Sequence, residues 1–333
     1  MVVTKGAAVY HSRMTDDNEQ KTMSMSRRAR FVREITSWYL GRTDIASVDV
    51  RRIRKRLDFF AGVVPSASGV AVQKDLVAGL KAEWLSPQGA PEDKLLLYWH
   101  GGAYVMGSCS SHRPCVSHIA RAAGVKALLP EYRLAPEHPF PAAIDDAVTL
   151  YRELLSRGFD PANIVIAGDS AGGGLCVAML LALRDAGEPM PAAMGLLSPW
   201  LDLSGQGESM TTRKDSDPWF SPEDLPHVTR HYCDEPELTN PMVSPVFADA
   251  TGFPQVLIQV GGDELLLSDS ERLASNIRAA GGQVEVDVWP GMWHVWQMFI
   301  GLMPESRHAV DRLGEFIGKS LVDSSVVANR EPQ

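Results

Sequence analysis

The chain has 333 residues, of which 45% are hydrophobic and 22% are charged. This composition supplies enough apolar material for a core, and the length suits one large α/β domain with a modest insertion, or two domains. The formal net charge of −9 makes nucleic acid and anionic membrane surfaces poor partners.

The four cysteines show neither Cys-x-x-Cys spacing nor a zinc pattern, and a disulfide framework is not expected in a chain of this length. The first 30 residues are polar and contain no apolar core of a secretory signal. Because no apolar run approaches 18 residues, we expect no membrane span. The sequence therefore predicts a soluble, cytoplasmic protein.

Two helical patterns precede the first strand. The first spans 26–40, where Phe31, Ile35 and Trp38 recur at helical spacing and form one apolar stripe. This pattern predicts an amphipathic helix packed on a larger body, or a helix that covers a functional site. The second pattern, over 48–62, carries a basic cluster that we expect to be a solvated face.

Strand patterns alternate with helix patterns from residue 69 onward. Strands are predicted at 69–76, 79–85, 94–100, 125–130, 164–167, 193–197, 255–260 and 283–289. Helices are predicted at 111–123, 141–157, 173–186, 268–280 and 305–321. This alternation predicts an α/β fold with a mainly parallel central sheet and helices on both faces. The stretch 202–241 has no strand pattern and is expected to be a helical insertion or lid.

One strand ends in a short serine motif. The apolar residues 164–167 lead into Gly168-Asp169-Ser170-Ala171-Gly172, and a long apolar helix pattern follows. Gly168 and Gly172 lack a Cβ, so strand and helix can approach closely around the serine. The pattern is typical of a nucleophile elbow, in which the serine points into open space. The alternative is a tight turn with a buried serine.

Three further loops carry the candidate acid, the candidate base and the candidate oxyanion hole for a nucleophilic serine. The strand at 255–260 is followed by Asp263 and Glu264, and the strand at 283–289 is followed by His294. Functional groups in open α/β sheets gather at the carboxyl ends of strands, and the order serine, acid, histidine is that of α/β-hydrolases. The strand at 94–100 ends in two glycines, Gly101 and Gly102, whose N–H groups we expect to form an oxyanion hole with that of Ala171.

These segments together resemble the hormone-sensitive-lipase-like family of α/β-hydrolase esterases (bacterial family IV). The matching segments are YWHGGAY at 98–104, EYRLAPEHPFPAA at 131–143, GDSAGG at 168–173, LSPWLDL at 197–203 and NPMVSP at 240–245. The resemblance covers about 76–316. It implies a serine carboxylesterase for short- to medium-chain esters, with Ser170 as nucleophile, His294 as base and no metal or organic cofactor.

The acid position departs from the family's frequent Asp-Pro-Leu-x-Asp pattern. Aligning Leu266 with that leucine places Glu264, rather than Asp263, at the triad acid. Asp263 remains the alternative, and would otherwise stabilise the loop or meet solvent.

The resemblance also predicts a domain organisation. Cap helices occupy 1–48, the catalytic domain comprises 49–202 and 241–333, and a second cap segment spans 203–240. It makes a homodimer plausible, with the last strand at the sheet edge as the pairing surface. Two alternatives to an esterase are a ligand-binding protein on the same fold and an amidase. The aromatic residues Trp219 and Phe220 in the second cap segment line a substrate pocket or pack in the core.

Overall fold

A computed structural model describes residues 25–40, 49–52, 54–55 and 64–327. Its strands are β1 Val70–Val77, β2 Leu80–Pro87, β3 Leu95–Trp99, β4 Lys126–Pro130, β5 Ile164–Asp169, β6 Ala193–Leu197, β7 Gln255–Gly261 and β8 Val284–Trp289. Its helices are α1 Arg27–Leu40, α2 Cys109–Ala123, α3 Ala142–Ser156, α4 Ala171–Asp185, α5 Ser209–Thr212, α6 Leu225–Tyr232, α7 Leu267–Ala279 and α8 Pro304–Val327.

The eight strands form one sheet in the order β1-β2-β4-β3-β5-β6-β7-β8. Strand β2 runs antiparallel to both of its neighbours, and the strands from β4 to β8 pair in parallel. The central strands β3, β5 and β6 are buried along their whole length. Continuous apolar runs suit such strands because helices cover both faces of a parallel sheet. The predicted α/β-hydrolase fold is confirmed.

Two hydrophobic layers flank the sheet. On one face, Leu95 and Leu97 of β3 pack in the cluster formed with α3, α4 and α7. On the other, Leu96 and Tyr98 pack in the cluster formed with α2 and α8. Side chains alternate across a strand, so one short apolar strand joins both layers. The parallel strands share one carboxyl edge, and the loops there carry Ser170, Glu264 and His294.

Helix α1 packs with a different face from the one that its apolar stripe predicts. Phe31, Ile35 and Trp38 are 62%, 50% and 60% exposed, whereas Ala29 is fully buried. Ala29 lies in a cluster with Trp293 and other residues of the histidine loop. A small side chain lets the helix approach this loop closely, so packing geometry rather than apolarity selects the inward face.

The predicted insertion contributes helices and no strand among its residues, all of which the structure describes. It contains α5 and α6, with one short 3₁₀ turn before α6 and another after it. Most of the predicted helix at 48–62, and residues 1–24 and 41–48 of the predicted cap, lie outside the described residues. Among the described helices, none combines the length and apolarity needed to cross a bilayer.

Candidate active site

Ser170 occupies the sharp turn between β5 and α4. Its φ of 51° and ψ of −122° lie in a region that non-glycine residues rarely adopt. The turn is tight: a Cβ at Gly172 would overlap the carbonyl oxygen of Trp99, and a Cβ at Gly168 would lie 2.5 Å from the Gly172 carbonyl carbon. Such strain is typical of functional sites and here directs the hydroxyl toward the histidine loop.

Ser170 contacts His294, and His294 in turn contacts Glu264. The Nε2 atom of His294 lies 3.0 Å from the hydroxyl oxygen of Ser170. On the other side of the ring, Nδ1 lies 3.5 Å from Oε1 of Glu264. His294 is 1% exposed and Glu264 is fully buried, so water screens their interaction weakly. The geometry fits a serine whose proton passes to an imidazole oriented by a carboxylate.

The second carboxylate oxygen of Glu264 has two donors of its own. It accepts hydrogen bonds from the hydroxyl of Ser198 at 2.7 Å and from the N–H of Gly261 at 2.7 Å. The Ser198 oxygen in turn accepts from the N–H of Val295 at 3.1 Å. Ser198 thus joins the acid loop to the histidine loop. The segment LSPWLDL contained this residue, but nothing in its pattern indicated this role.

Asp263 points away from the histidine and pairs with the first helix. Its Oδ2 lies 2.6 Å from Nη1 of Arg33. The same guanidinium donates to the carbonyl of Gly291 at 2.9 Å and to that of Ser216 at 2.6 Å. Arg33 therefore ties α1 to the acid loop, the histidine loop and the insertion at once. The structure places Glu264, and not Asp263, against the imidazole of His294.

The glycine loop after β3 approaches the serine, but its first N–H is already engaged. The N–H of Gly101 donates to Oδ1 of Asp169 at 3.0 Å, and a Cβ at this position would overlap the Asp169 carboxylate. Gly102 has a φ of 115°, and Ala103 has a φ of 53°. Backbone conformations of this kind direct successive N–H groups into one concavity, an arrangement that favours binding of an anion.

Asp169 organises a buried network behind that loop. Its carboxylate also accepts from the Tyr98 hydroxyl at 2.9 Å and lies 3.3 Å from Nε2 of His112. Burial alone raises the pKa of Asp169, but the facing His112 ring holds it below its ordinary value. Burial lowers the pKa of His100 to about 3, so this neighbouring ring is neutral. The network fixes the loop that carries the candidate oxyanion donors.

Aromatic residues of the insertion cover the histidine. The Phe220 ring lies 5.1 Å from the His294 ring and the Trp219 ring lies 6.3 Å from it, both edge to face. Trp219 also packs edge to face on Phe299, at 5.9 Å. Both aromatic residues are half-buried, so they combine packing with a position at the site.

Comparison with known proteins gives the same fold. The model of a family described as having the alpha/beta hydrolase fold matches residues 96–298. An acetyl-hydrolase from Streptomyces hygroscopicus is 44% identical over 236 residues, which are 71% of this chain and 79% of the relative. An esterase from Acinetobacter venetianus is 36% identical over 265 residues, which are 79% of this chain and 87% of the relative.

Solved structures agree over nearly the whole chain. An esterase from the bacterial hormone-sensitive lipase family superposes with a TM-score of 0.86 at 42% identity, covering 90% of this chain and 100% of the other. The esterase EstE5, soaked with p-nitrophenyl butyrate, superposes with a TM-score of 0.84 at 39% identity, covering 89% and 99%.

Proposed function

Since the chain belongs to the α/β-hydrolase fold family, among the esterases similar to hormone-sensitive lipase, we propose that it hydrolyses short- to medium-chain carboxylic esters through an acyl-enzyme. The observation that carries the proposal is the alignment of Ser170, His294 and Glu264, with the serine on a strained turn and the ring between two oxygens. The relatives named as an acetyl-hydrolase and an esterase support the reaction class.

In the acylation step, Ser170 attacks the ester carbonyl carbon while Nε2 of His294 takes the serine proton. The developing imidazolium lies beside the buried carboxylate of Glu264, which stabilises its charge and keeps Nε2 directed at the serine. His294 then delivers the proton to the leaving alcohol. In deacylation, Nε2 of His294 takes a proton from a water that attacks the acyl carbon, and it returns this proton to the Ser170 oxygen as the bond to the acyl group breaks and the acid leaves.

The negative charge that develops on the carbonyl oxygen needs N–H donors that are already in position and have no other hydrogen-bond partner. Because the N–H of Gly101 is engaged by Asp169, we assign the oxyanion hole to the N–H groups of Gly102, Ala103 and Ala171. Gly101 acts instead through its missing Cβ, which leaves room for the Asp169 carboxylate.

The proposal extends to the surroundings of the site. Helix α1 and the segment 203–240 form the cap, supported by the contacts of Arg33 and the position of Trp219 and Phe220 over His294. The enzyme acts in the cytoplasm on small ester substrates. Strand β8, at the sheet edge, offers a pairing surface for a homodimer.

A chain-length series tests the function. We expect the wild type to turn over p-nitrophenyl acetate and butyrate faster than the palmitate, and the Ser170→Ala variant to lose almost all of this activity. An alanine variant that keeps wild-type turnover refutes the mechanism. Matched anilides hydrolysed faster than esters would indicate an amidase, and tight ester binding without turnover would indicate a binding protein.

A further inference from the structure

The insertion forms two hydrogen bonds to the backbone of Leu265, the residue that follows Glu264, from positions that precede Trp219 and Phe220. The carbonyl of Leu265 accepts a hydrogen bond from the Ser209 hydroxyl. Its N–H donates to Oδ2 of Asp217 at 3.1 Å. Both polar backbone groups of Leu265 are therefore satisfied by the insertion, which ties the backbone beside the triad acid to it.

The other oxygen of the same carboxylate shapes the cap. Oδ1 of Asp217 accepts from the N–H of Trp219 at 2.8 Å, closing a local turn of the type that aspartate favours. This turn sets the direction in which Trp219 and Phe220 leave the segment, toward the ring of His294. One carboxylate thus links the acid loop and the aromatic cover of the histidine.

Asp217 also places an ionisable carboxyl near both Glu264 and His294. Burial raises its pKa to about 6, opposed by the attraction of His294, while the charge of Glu264 adds to the rise. The described residues provide no lysine or arginine ion pair for this carboxylate. The charged groups that act on Asp217 are Glu264 on the acid loop and His294 on the histidine loop. Arg33 on α1, which pairs with Asp263, donates to the carbonyl of the preceding residue Ser216. Arg213, Lys214 and Asp215 precede Asp217 on its own segment.

Asp217 is half-buried beside an acid and a base, and no cation is paired with it among the described residues. A carboxylate in such surroundings is more typical of a functional site than of a group that stabilises the fold. We propose that Asp217 is a positioning residue that holds the acid loop and the cap aromatics in register with His294, and whose negative charge stabilises the protonated imidazole during turnover. This role rests on the proposed ester hydrolysis, since it acts through Glu264 and His294.

The test compares the neutral isostere Asp217→Asn with Asp215→Asn, a matched change at an exposed aspartate two residues away. Profiles of kcat/KM against pH are measured with p-nitrophenyl butyrate. Removing a charge that stabilises the protonated ring shifts the acid limb of the profile to lower pH, by about 0.5 unit or more. Lost positioning lowers kcat about tenfold with KM changed less than about threefold. Asp215→Asn is expected to overlay the wild type.

A second substitution, Asp217→Ser, keeps a short neutral acceptor for the Trp219 N–H and serves if the asparagine variant does not fold. The same shift in either Asp217 variant supports the role. An unshifted acid limb in both, or an equal shift in Asp215→Asn, overturns it, because a purely structural residue changes rate without moving the profile. A wild type that hydrolyses no ester refutes the proposed function instead.

Discussion

Replacing Glu264 by glutamine removes the negative charge beside His294 and leaves the volume of the side chain almost unchanged. The two groups lie 3.5 Å apart and are both buried. At an effective dielectric of about 20, unit charges about 4 Å apart attract by ~4 kcal/mol. Because the imidazolium forms only on the way to the transition state, this attraction lowers the barrier, and its loss corresponds to roughly a thousandfold in kcat.

The matched variant is Asp263→Asn, one residue earlier in the same loop. Asp263 pairs with Arg33 at a partly exposed position, and such a pair contributes at most about 1 kcal/mol. The kcat of Asp263→Asn is therefore expected to stay within about fivefold of the wild-type value. Both variants are assayed at saturating p-nitrophenyl butyrate, with circular dichroism as the check on folding. A larger loss in Asp263→Asn, or a loss below tenfold in a folded Glu264→Gln protein, refutes the assignment of the acid.

Three other substitutions follow from the contacts around the triad. Ser198→Ala removes the hydroxyl that joins Glu264 to the histidine loop. Losing a buried hydrogen bond of this kind costs about 1–3 kcal/mol, so kcat should fall about tenfold. An unchanged kcat would contradict the link. Arg33→Gln releases α1 from three segments, which should lower the thermal midpoint, and a midpoint equal to that of the wild type would show that these bonds contribute nothing. Gly172→Ala places a methyl group against the Trp99 carbonyl and should abolish activity, whereas Gly318→Ala on α8, with ordinary contact distances, should keep it.

Local pattern was sufficient for most of the fold. Strands such as β3, β5 and β6 are short apolar runs bounded by turns, and their predicted positions agree with the structure to within a residue or two. The elbow was equally readable, because Gly168 and Gly172 flank a serine at a strand-to-helix junction. These features depend on neighbours in the chain, which a sequence displays directly.

Features that join distant segments were not readable in the same way. The apolar stripe of α1 indicated an inward face with Phe31, but the structure turns Ala29 and Arg33 inward. Periodicity identifies an amphipathic helix without identifying the surface that receives it. Asp217 carried no motif at all, and its contact with Leu265 joins residues that lie 48 positions apart.

The sequence by itself determined the sheet, the serine at its elbow, and the order in which an acid and a histidine follow at strand ends. Only the tertiary structure decided that Glu264 meets His294 while Asp263 meets Arg33, and that Asp169 engages the N–H of Gly101. The physical reason is that adjacent carboxylates differ little in composition or spacing. A loop's backbone path determines which side chain reaches an imidazole within about 4 Å, and that path is set by packing across the whole domain.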